Sequence, residues 1–208
     1  GRTFKPLVKQ VIANDVEFYS YVLNRNYIGN FKSNNYSNFI NTLNNLDGIE
    51  GFIFQNYSEN GNEGRLYFSS ENGKKIDAIR IELENWKKQH KIDEDLYFFL
   101  LTSLIESADK VANTASVYGA YLKQLKTSAK KEFVLKPATF IETKNEHQVF
   151  NNDANELIKK IKGDILYLDP PYNARQYGAN YHILNTIAKY DLFQPKGKTG
   201  LRTYYKSD

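Results

Sequence analysis

Two hydrogen-bond acceptors and an aromatic ring are gathered in one tetrapeptide, Asp169-Pro170-Pro171-Tyr172. The prolines carry no N–H and fix φ, so they stiffen the turn while leaving the carbonyls of Asp169 and Pro170 as acceptors. The Asp169 carboxylate adds a side-chain acceptor, and Tyr172 adds a flat ring for stacking. Such a set suits a planar substrate with an exocyclic amino group: the acceptors take the amino hydrogens and the ring packs on the base face. An exocyclic amine on a nucleobase is a poor nucleophile because its lone pair is delocalised into the ring. Hydrogen bonds that draw its protons out of plane localise that pair for attack. A base stacked inside a duplex cannot reach such a pocket and must be flipped out.

The element that must carry this tetrapeptide is the run Ile165-Leu-Tyr-Leu168, which starts just after Lys162-Gly163-Asp164. An unbroken apolar run cut off by prolines predicts a strand buried on both faces, as in a parallel sheet. It delivers Asp169 and Tyr172 to its carboxyl end, where open α/β sheets bind ligands. A second such edge is expected near the start. Val8 to Ala13 reads as a strand ended by Asn14-Asp15, and a helix follows over 16–26 with Phe18 and Val22 inward. A strand that ends in an acidic residue and feeds a helix is the second half of a nucleotide-binding βαβ unit, whose carboxylate hydrogen-bonds ribose hydroxyls. Asp15 equally suits a helix N-cap.

Between these portions the composition changes. Asn34, Asn35, Asn38, Asn41, Asn44, Asn45 and Gly48 give a polar, irregular stretch, followed by expected strands at 51–57 and 65–68. Helical periodicity then takes over: Ile76, Ile79, Leu83 and Trp86 share one face, and Tyr97, Leu100, Leu101, Leu104, Ile105 and Ala108 share another. Tyr118, Leu122, Leu125 and Ala129 predict a third helix with Lys123, Lys126 and Lys130 on a separate face. That face is either a solvated surface or a set of phosphate contacts, which position DNA without reading its sequence. Beyond Pro137, strands are expected at 138–142 and 148–151. Asp153-Ala-Asn-Glu156 then reads as a helix start with Asp153 at the cap. A further helix is expected over 177–190, in which His182 is structural. The organisation is thus an α/β portion over 1–32, an inserted and mainly helical unit over 33–136, and a second α/β portion over 137–208.

The chain's 208 residues are 41% hydrophobic, enough for a sizeable core. Cys is absent, which excludes disulfides and thiolate metal sites. No apolar run approaches the roughly 20 residues of a membrane span, and no signal peptide is visible, so a cytoplasmic location is expected. The net charge of +4 permits a polyanionic partner without demanding one. With Gly1 first and no Met anywhere, the sequence is expected to be a fragment or a chain whose start lies upstream.

Ile165-Leu-Tyr-Leu-Asp-Pro-Pro-Tyr-Asn173 resembles the signature of the Dam-like adenine-N6 DNA methyltransferases of restriction-modification systems. The similarity runs along nearly the whole chain. Arg175-Gln-Tyr-Gly-Ala-Asn-Tyr-His-Ile-Leu184 resembles the segment after that signature, Val11-Ile-Ala-Asn-Asp15 the second cofactor motif, and Phe150-Asn-Asn-Asp153 the segment bordering the cofactor adenine. Asn72-Gly-Lys-Lys-Ile-Asp-Ala-Ile-Arg80 and Ala115-Ser-Val-Tyr-Gly-Ala-Tyr-Leu-Lys123 also look like family segments. The resemblance implies a Rossmann-like S-adenosylmethionine-dependent fold with the insertion as target-recognition unit. It implies that Asp169 and the Pro170 carbonyl, stiffened by Pro171, hold the target amine while Tyr172 stacks on the adenine. Asn14, Asp15, Phe150, Asp153 and Asp169 would then line the cofactor site. Asn173, Arg175, Tyr177, Lys123, Lys126 and Lys130 would face double-stranded DNA. No metal is required, and a cognate restriction endonuclease is the implied partner. The family's first motif, a strand ending Phe-x-Gly-x-Gly, is absent; Gly1-Arg-Thr-Phe-Lys5 looks like residues just after it.

Two other readings stay open. Related enzymes with Asn-Pro-Pro-Tyr modify RNA bases or protein glutamine. The missing glycine loop also fits a non-catalytic DNA-binding relic or partner module.

Overall fold

The computed structural model describes residues 1–29, 31, 35–169 and 176–202. Two three-residue strands, β1 (Ile12–Asn14) and β2 (Gln148–Phe150), pair in parallel with Asn14 opposite Phe150. The chain thereby joins its first and last portions across the long intervening segment. Side chains reinforce the junction. The buried Lys5 ammonium donates to the carbonyls of Gly29 (2.7 Å) and Ile141 (2.5 Å). Burial lowers its pKa. Asn145 donates to the Val8 carbonyl, and the Val11 N–H donates to His147 Nδ1.

The helices follow α1 (Phe18–Tyr27), α2 (Tyr36–Asn44), α3 (Phe52–Tyr57), α4 (Ser70–Lys88), α5 (Glu94–Val111), α6 (Ala154–Leu157), α7 (Tyr177–Asn180) and α8 (His182–Lys189). The long pair α4 and α5 matches the sequence periodicity: Ile76, Ile79, Leu83 and Trp86 are buried on one helix, and Leu100, Leu101, Leu104 and Ile105 on the other. Their ends are specified locally. Ser69 caps α4, whose last turn carries Lys87 and Lys88 at the negative pole. Lys91 N–H returns to the Trp86 carbonyl and His90 N–H to that of Lys87, with His90 in the left-handed region at φ 53°. This is a Schellman closure built without glycine. Asp93 caps α5 by accepting from the Leu96 N–H at 2.8 Å. Asp93→Ala is expected to destabilise the protein by about 1 kcal/mol, as loss of a helix cap does; urea denaturation of both proteins measures it.

One hydrophobic cluster runs through α1 to α5 and α8. Val22 of α1, Ile40 and Leu43 of α2, the α4–α5 stripe, and Ile183, Leu184 and Ile187 of α8 belong to it. Phe31 stacks on Phe99 at 4.4 Å and meets Phe140 edge-on at 5.0 Å. The helices of 33–136 therefore share their core with α1 and α8.

Several expected elements differ. Residues 51–57 form helix α3 instead of a strand, because the Asp77 carboxylate on α4 accepts from the Ile53 and Phe54 N–H groups and caps the helix from outside. Gly73 of α4 permits the close approach: a Cβ there would lie 1.9 Å from Ser58 Oγ. Residues 65–68 make one bridge, Ser58 to Phe68, with Tyr67 and Phe68 buried in a loop. Residues 138–142 form no strand. The helix expected over 177–190 breaks at Tyr181, where the Asn180 carbonyl instead accepts from the Tyr118 N–H.

The largest correction concerns 165–168. These residues form no strand, and all four are exposed, Ile165 to 91%. A strand buried in a parallel sheet needs hydrogen-bonded neighbours, and among the described residues none pairs with this run. Apolar character specifies a wish for burial, not the partner that provides it.

Candidate active site

The carboxyl ends of β1 and β2 bring four of the expected cofactor residues into one small edge. Asn14 closes β1 and exchanges two 3.0 Å hydrogen bonds with the Asn152 backbone. Asp15 follows; its N–H donates to the Phe150 carbonyl at 3.3 Å. Asn151 reaches back to the carbonyls of Asp15 and Val16 at 2.7 and 2.9 Å. Asp153 then caps α6, accepting from the Asn155 and Glu156 N–H groups at 2.7 and 3.2 Å. Asn14, Asp15, Phe150 and Asp153, far apart in sequence, are neighbours because the parallel register sets Asn14 against Phe150.

Asp15 plays the local structural role as well. One carboxylate oxygen accepts from the Glu17 N–H at 2.9 Å and the other from the Ser20 hydroxyl at 2.5 Å, fixing the entry to α1. A carboxylate has about four lone-pair directions, so two remain for a ligand, and the group is only half-buried. Tyr19, just inside α1, packs on Tyr181 at 5.5 Å, and Tyr181 stacks on Tyr177 at 6.1 Å. Burial, with the nearby Asp15 carboxylate adding to it, pushes the Tyr19 hydroxyl pKa up. Helix α8 is tied to the same edge: the Tyr19 N–H donates to Asn185 Oδ1 at 3.0 Å, and Asn185 Nδ2 donates to Glu17.

Asp169 is exposed and lies outside any described strand. Pro170, Pro171, Tyr172, Asn173 and Arg175 lie outside the described residues. Tyr177 opens α7, partly exposed, on the Tyr19–Tyr181 aromatic row.

The lysines do not share a helical face. Residues 118–130 are an irregular loop, because Asn113 takes the bonds a helix would use. Its carbonyl accepts from the Leu122 N–H at 2.9 Å, and its Oδ1 accepts from the Lys126 N–H at 3.0 Å. Its Nδ2 donates to the carbonyls of Leu66 and Leu122. Lys126 turns its ammonium onto the Thr114 carbonyl at 2.7 Å, while Lys123 and Lys130 are exposed. Asn72 fastens the far end of the loop, donating to the carbonyls of Ala129 and Lys131 and accepting from the Phe133 N–H. Its near end meets the segment after the proline pair through Tyr118 N–H to Asn180 and through the Tyr118 carbonyl on His182 Nε2 at 3.0 Å. An irregular stretch of this length pinned at many points is more often functional than merely connecting. Asn113→Ala strips the partners from two carbonyls and one N–H, so a loss of about 2 kcal/mol is expected in thermal or urea unfolding.

Sequence reasoning assigned no role to Asn113, Asn72, Asp77 or Arg80. The available signal was polar residues beside apolar helical stripes, Asp77 after Ile76 and Arg80 after Ile79. Among the described residues no group of three or more acidic or histidine side chains could hold a metal ion, and no helix is long and apolar enough to cross a membrane.

Comparison with known proteins places these segments in a family. A type II methyltransferase of Neisseria lactamica, M.NlaIII, is 63% identical over 208 residues, covering 100% of this chain and 62% of that protein. M.CviAII of Paramecium bursaria Chlorella virus 1 is 46% identical, over 95% of this chain and 60% of its own length. M.FokI of Planomicrobium okeanokoites is 40% identical, over 95% of this chain and 32% of its own length. The chain thus spans less than two thirds of these relatives. No solved structure matches it. The family model for the D12 class N6 adenine-specific DNA methyltransferases matches residues 1–208, and its Asp169-Pro-Pro-Tyr signature, strand-end Asp15 and Phe150 edge fall within that match: the chain belongs to this family.

Proposed function

We propose that the protein containing this chain is a site-specific DNA methyltransferase that transfers a methyl group from S-adenosylmethionine to the N6 amine of a flipped-out adenine. The observation that carries this reading is the meeting of Asn14, Asp15, Phe150 and Asp153 at one parallel strand edge, in a chain of this family that also bears Asp169-Pro-Pro-Tyr. The catalytic scaffold is then Rossmann-like over 1–32 and 137–208, with 33–136 as the target-recognition unit.

The residues present fit the adenosyl end of the cofactor. Asp15 keeps acceptor capacity for ribose hydroxyls, and Phe150 and Asp153 border the adenine. Bound S-adenosylmethionine supplies an electrophilic sulfonium methyl. Asp169 and the Pro170 carbonyl hold the amino hydrogens of the target, Pro171 stiffens the turn, and Tyr172 stacks on the flipped base. Their contribution is orientation and fixed acceptors rather than strong base catalysis. Asn173, Arg175, Tyr177 and the exposed Lys123 and Lys130 contact DNA. Lys126 contributes by holding the loop as much as by charge, since its ammonium already serves the Thr114 carbonyl. The reaction needs no metal. A cytoplasmic setting and a cognate endonuclease complete the proposal.

The test is transfer of labelled methyl from S-adenosylmethionine by the full-length protein to DNA, RNA and protein acceptors, with the product identified by nucleoside analysis. N6-methyladenine in DNA is expected; label only in RNA or protein overturns the assignment. The exposed 165–169 run gives the second reading its footing. Calorimetry with S-adenosylmethionine separates the two: a full-length protein that binds DNA but no cofactor is the non-catalytic module.

A further inference from the structure

We propose that Asp77 and Arg80, one turn apart on α4, are positioning residues that clasp the end of α8 and so hold that helix in one register beside the β1–β2 edge. The proposal rests on the methyltransferase reading above. Both side chains are buried in the core, where charged groups are rarely left without a specific job. Arg80 Nε and Nη2 donate to the carbonyls of Ile187 (2.8 Å) and Ala188 (2.9 Å). These belong to the last turn of α8, whose carbonyls have no partner within the helix. The guanidinium also places its charge at the helix's negative pole. Glu84 at 2.6 Å and the Tyr97 hydroxyl at 3.2 Å hold the guanidinium in place.

Asp77 grips the next residue along. It accepts from the Tyr190 hydroxyl at 2.6 Å, and Tyr190 is the left-handed residue, φ 48°, that ends α8. The Tyr190 ring lies 5.6 Å from the Arg80 guanidinium, so the two grips meet on one side chain. The other face of α8 is tied by Asn185 to Glu17 and Tyr19 beside Asp15. Helix α8 therefore links the helices of 33–136 to the cofactor edge, and in the chain it follows α7 after the segment that holds the proline pair. Buried ionic groups are poor stabilisers compared with apolar residues of the same size. What this set supplies is one register for α8, fixed by directional bonds at its end. Displacing that register moves α7 and α8, the helices that follow Asp169-Pro-Pro-Tyr in the chain, relative to the Asp15 edge, and an error of about 1 Å at a reacting centre can cost about a hundredfold in rate.

The experiment compares Tyr190→Phe, Arg80→Lys and Arg80→Ala with the wild type in the full-length protein. Calorimetry gives the S-adenosylmethionine Kd and the fraction of binding-competent sites. Single-turnover kinetics give methyl transfer per competent site, and hydrogen exchange follows α8 and β1–β2 separately. The expected result is a Kd within about twofold, transfer per site lowered about tenfold or more, and faster exchange in α8 with the strands unchanged. Arg80→Lys should not rescue, because an ammonium cannot serve both carbonyls in a planar fork. Should Arg80→Ala fail to fold, Tyr190→Phe, which deletes one hydroxyl, decides alone. Unchanged transfer per site overturns the proposal, whether or not exchange rises. A wild type that binds the cofactor and transfers no methyl refutes the methyltransferase reading instead. Exchange in α8 then decides the clasp: unchanged exchange overturns it.

Discussion

Asp169→Ala is expected to lower methyl transfer about 10²- to 10³-fold, the usual effect of removing one preorganised hydrogen-bond partner from a reacting group. The same substitution should leave Tm within about 1 °C, since surface changes away from packed features are near neutral. Asp169 is exposed, so its loss creates no cavity. The separation is the informative part. Deleting Asp77, which serves two backbone N–H groups and the Tyr190 hydroxyl, must disturb folding and transfer together. Asp169 should disturb transfer alone. Single-turnover transfer beside thermal denaturation of the same preparations checks it; transfer within threefold of wild type would remove Asp169 from the amine-holding role.

Acidification should destabilise the protein through His182 by about 3 kcal/mol between pH 6.5 and 4. The imidazole is fully buried, and burial pushes its pKa down to about 4; the Tyr118 carbonyl works against that shift, while the guanidiniums of Arg202 and Arg65 add to it. The geometry favours a neutral ring. Nε2 faces the Tyr118 carbonyl at 3.0 Å and so carries the proton, and Nδ1 is buried with no partner among the described residues. Protonating Nδ1 would place an unmatched donor and a charge in the core. The unfolded imidazole takes its proton near pH 6.5, well before the folded one. The His182 contribution is therefore complete above that pH and lost as pH falls toward 4. Asp77 acts in the opposite sense. Burial raises its carboxyl to about 6 despite the donors around it, so its contribution is present at low pH and fades as pH rises through 6. The total profile mixes the two, and the difference between wild type and His182→Gln isolates the histidine. That difference should shrink as pH falls from 6.5 to 4; parallel profiles would show that His182 does not titrate with folding.

The sequence was most legible where chemistry or rhythm is local. The stripes of α4 and α5, the cap at Asp153, and Asp15 at the turn into α1 stand where local pattern put them, while β1 covers 12–14 and not the 8–13 expected, because its partner β2 pairs only with those three residues. Side-chain period and capping chemistry are properties of a few consecutive residues, so little else is needed to read them. The Asp169-Pro-Pro-Tyr signature also pointed to its family without any coordinates.

Tertiary contacts decided the rest, for an identifiable reason each time. Residues 51–57 carry an apolar pattern that suits either helix or strand, and the choice fell to Asp77, more than twenty residues away in sequence. Residues 118–129 carry a helical stripe, yet Asn113 takes the Leu122 and Lys126 N–H groups that the helix would need. A buried asparagine with several backbone partners outweighs a modest periodicity, because each unpaired backbone group it would otherwise leave costs more than helix propensity returns. The run 165–168 is the opposite case: sequence marked it for burial, and no described strand lies beside it. What the sequence by itself determined is the family, the set of acceptors and aromatic ring gathered in Asp169-Pro-Pro-Tyr172, and the identity of the acid that follows β1. Only the tertiary structure decided that Asp15 and Phe150 share an edge, that Asn113 shapes the lysine-bearing loop, and that α8 is held by Asp77 and Arg80. Those relations are between residues distant in the chain, and a local pattern carries no information about which distant groups will meet.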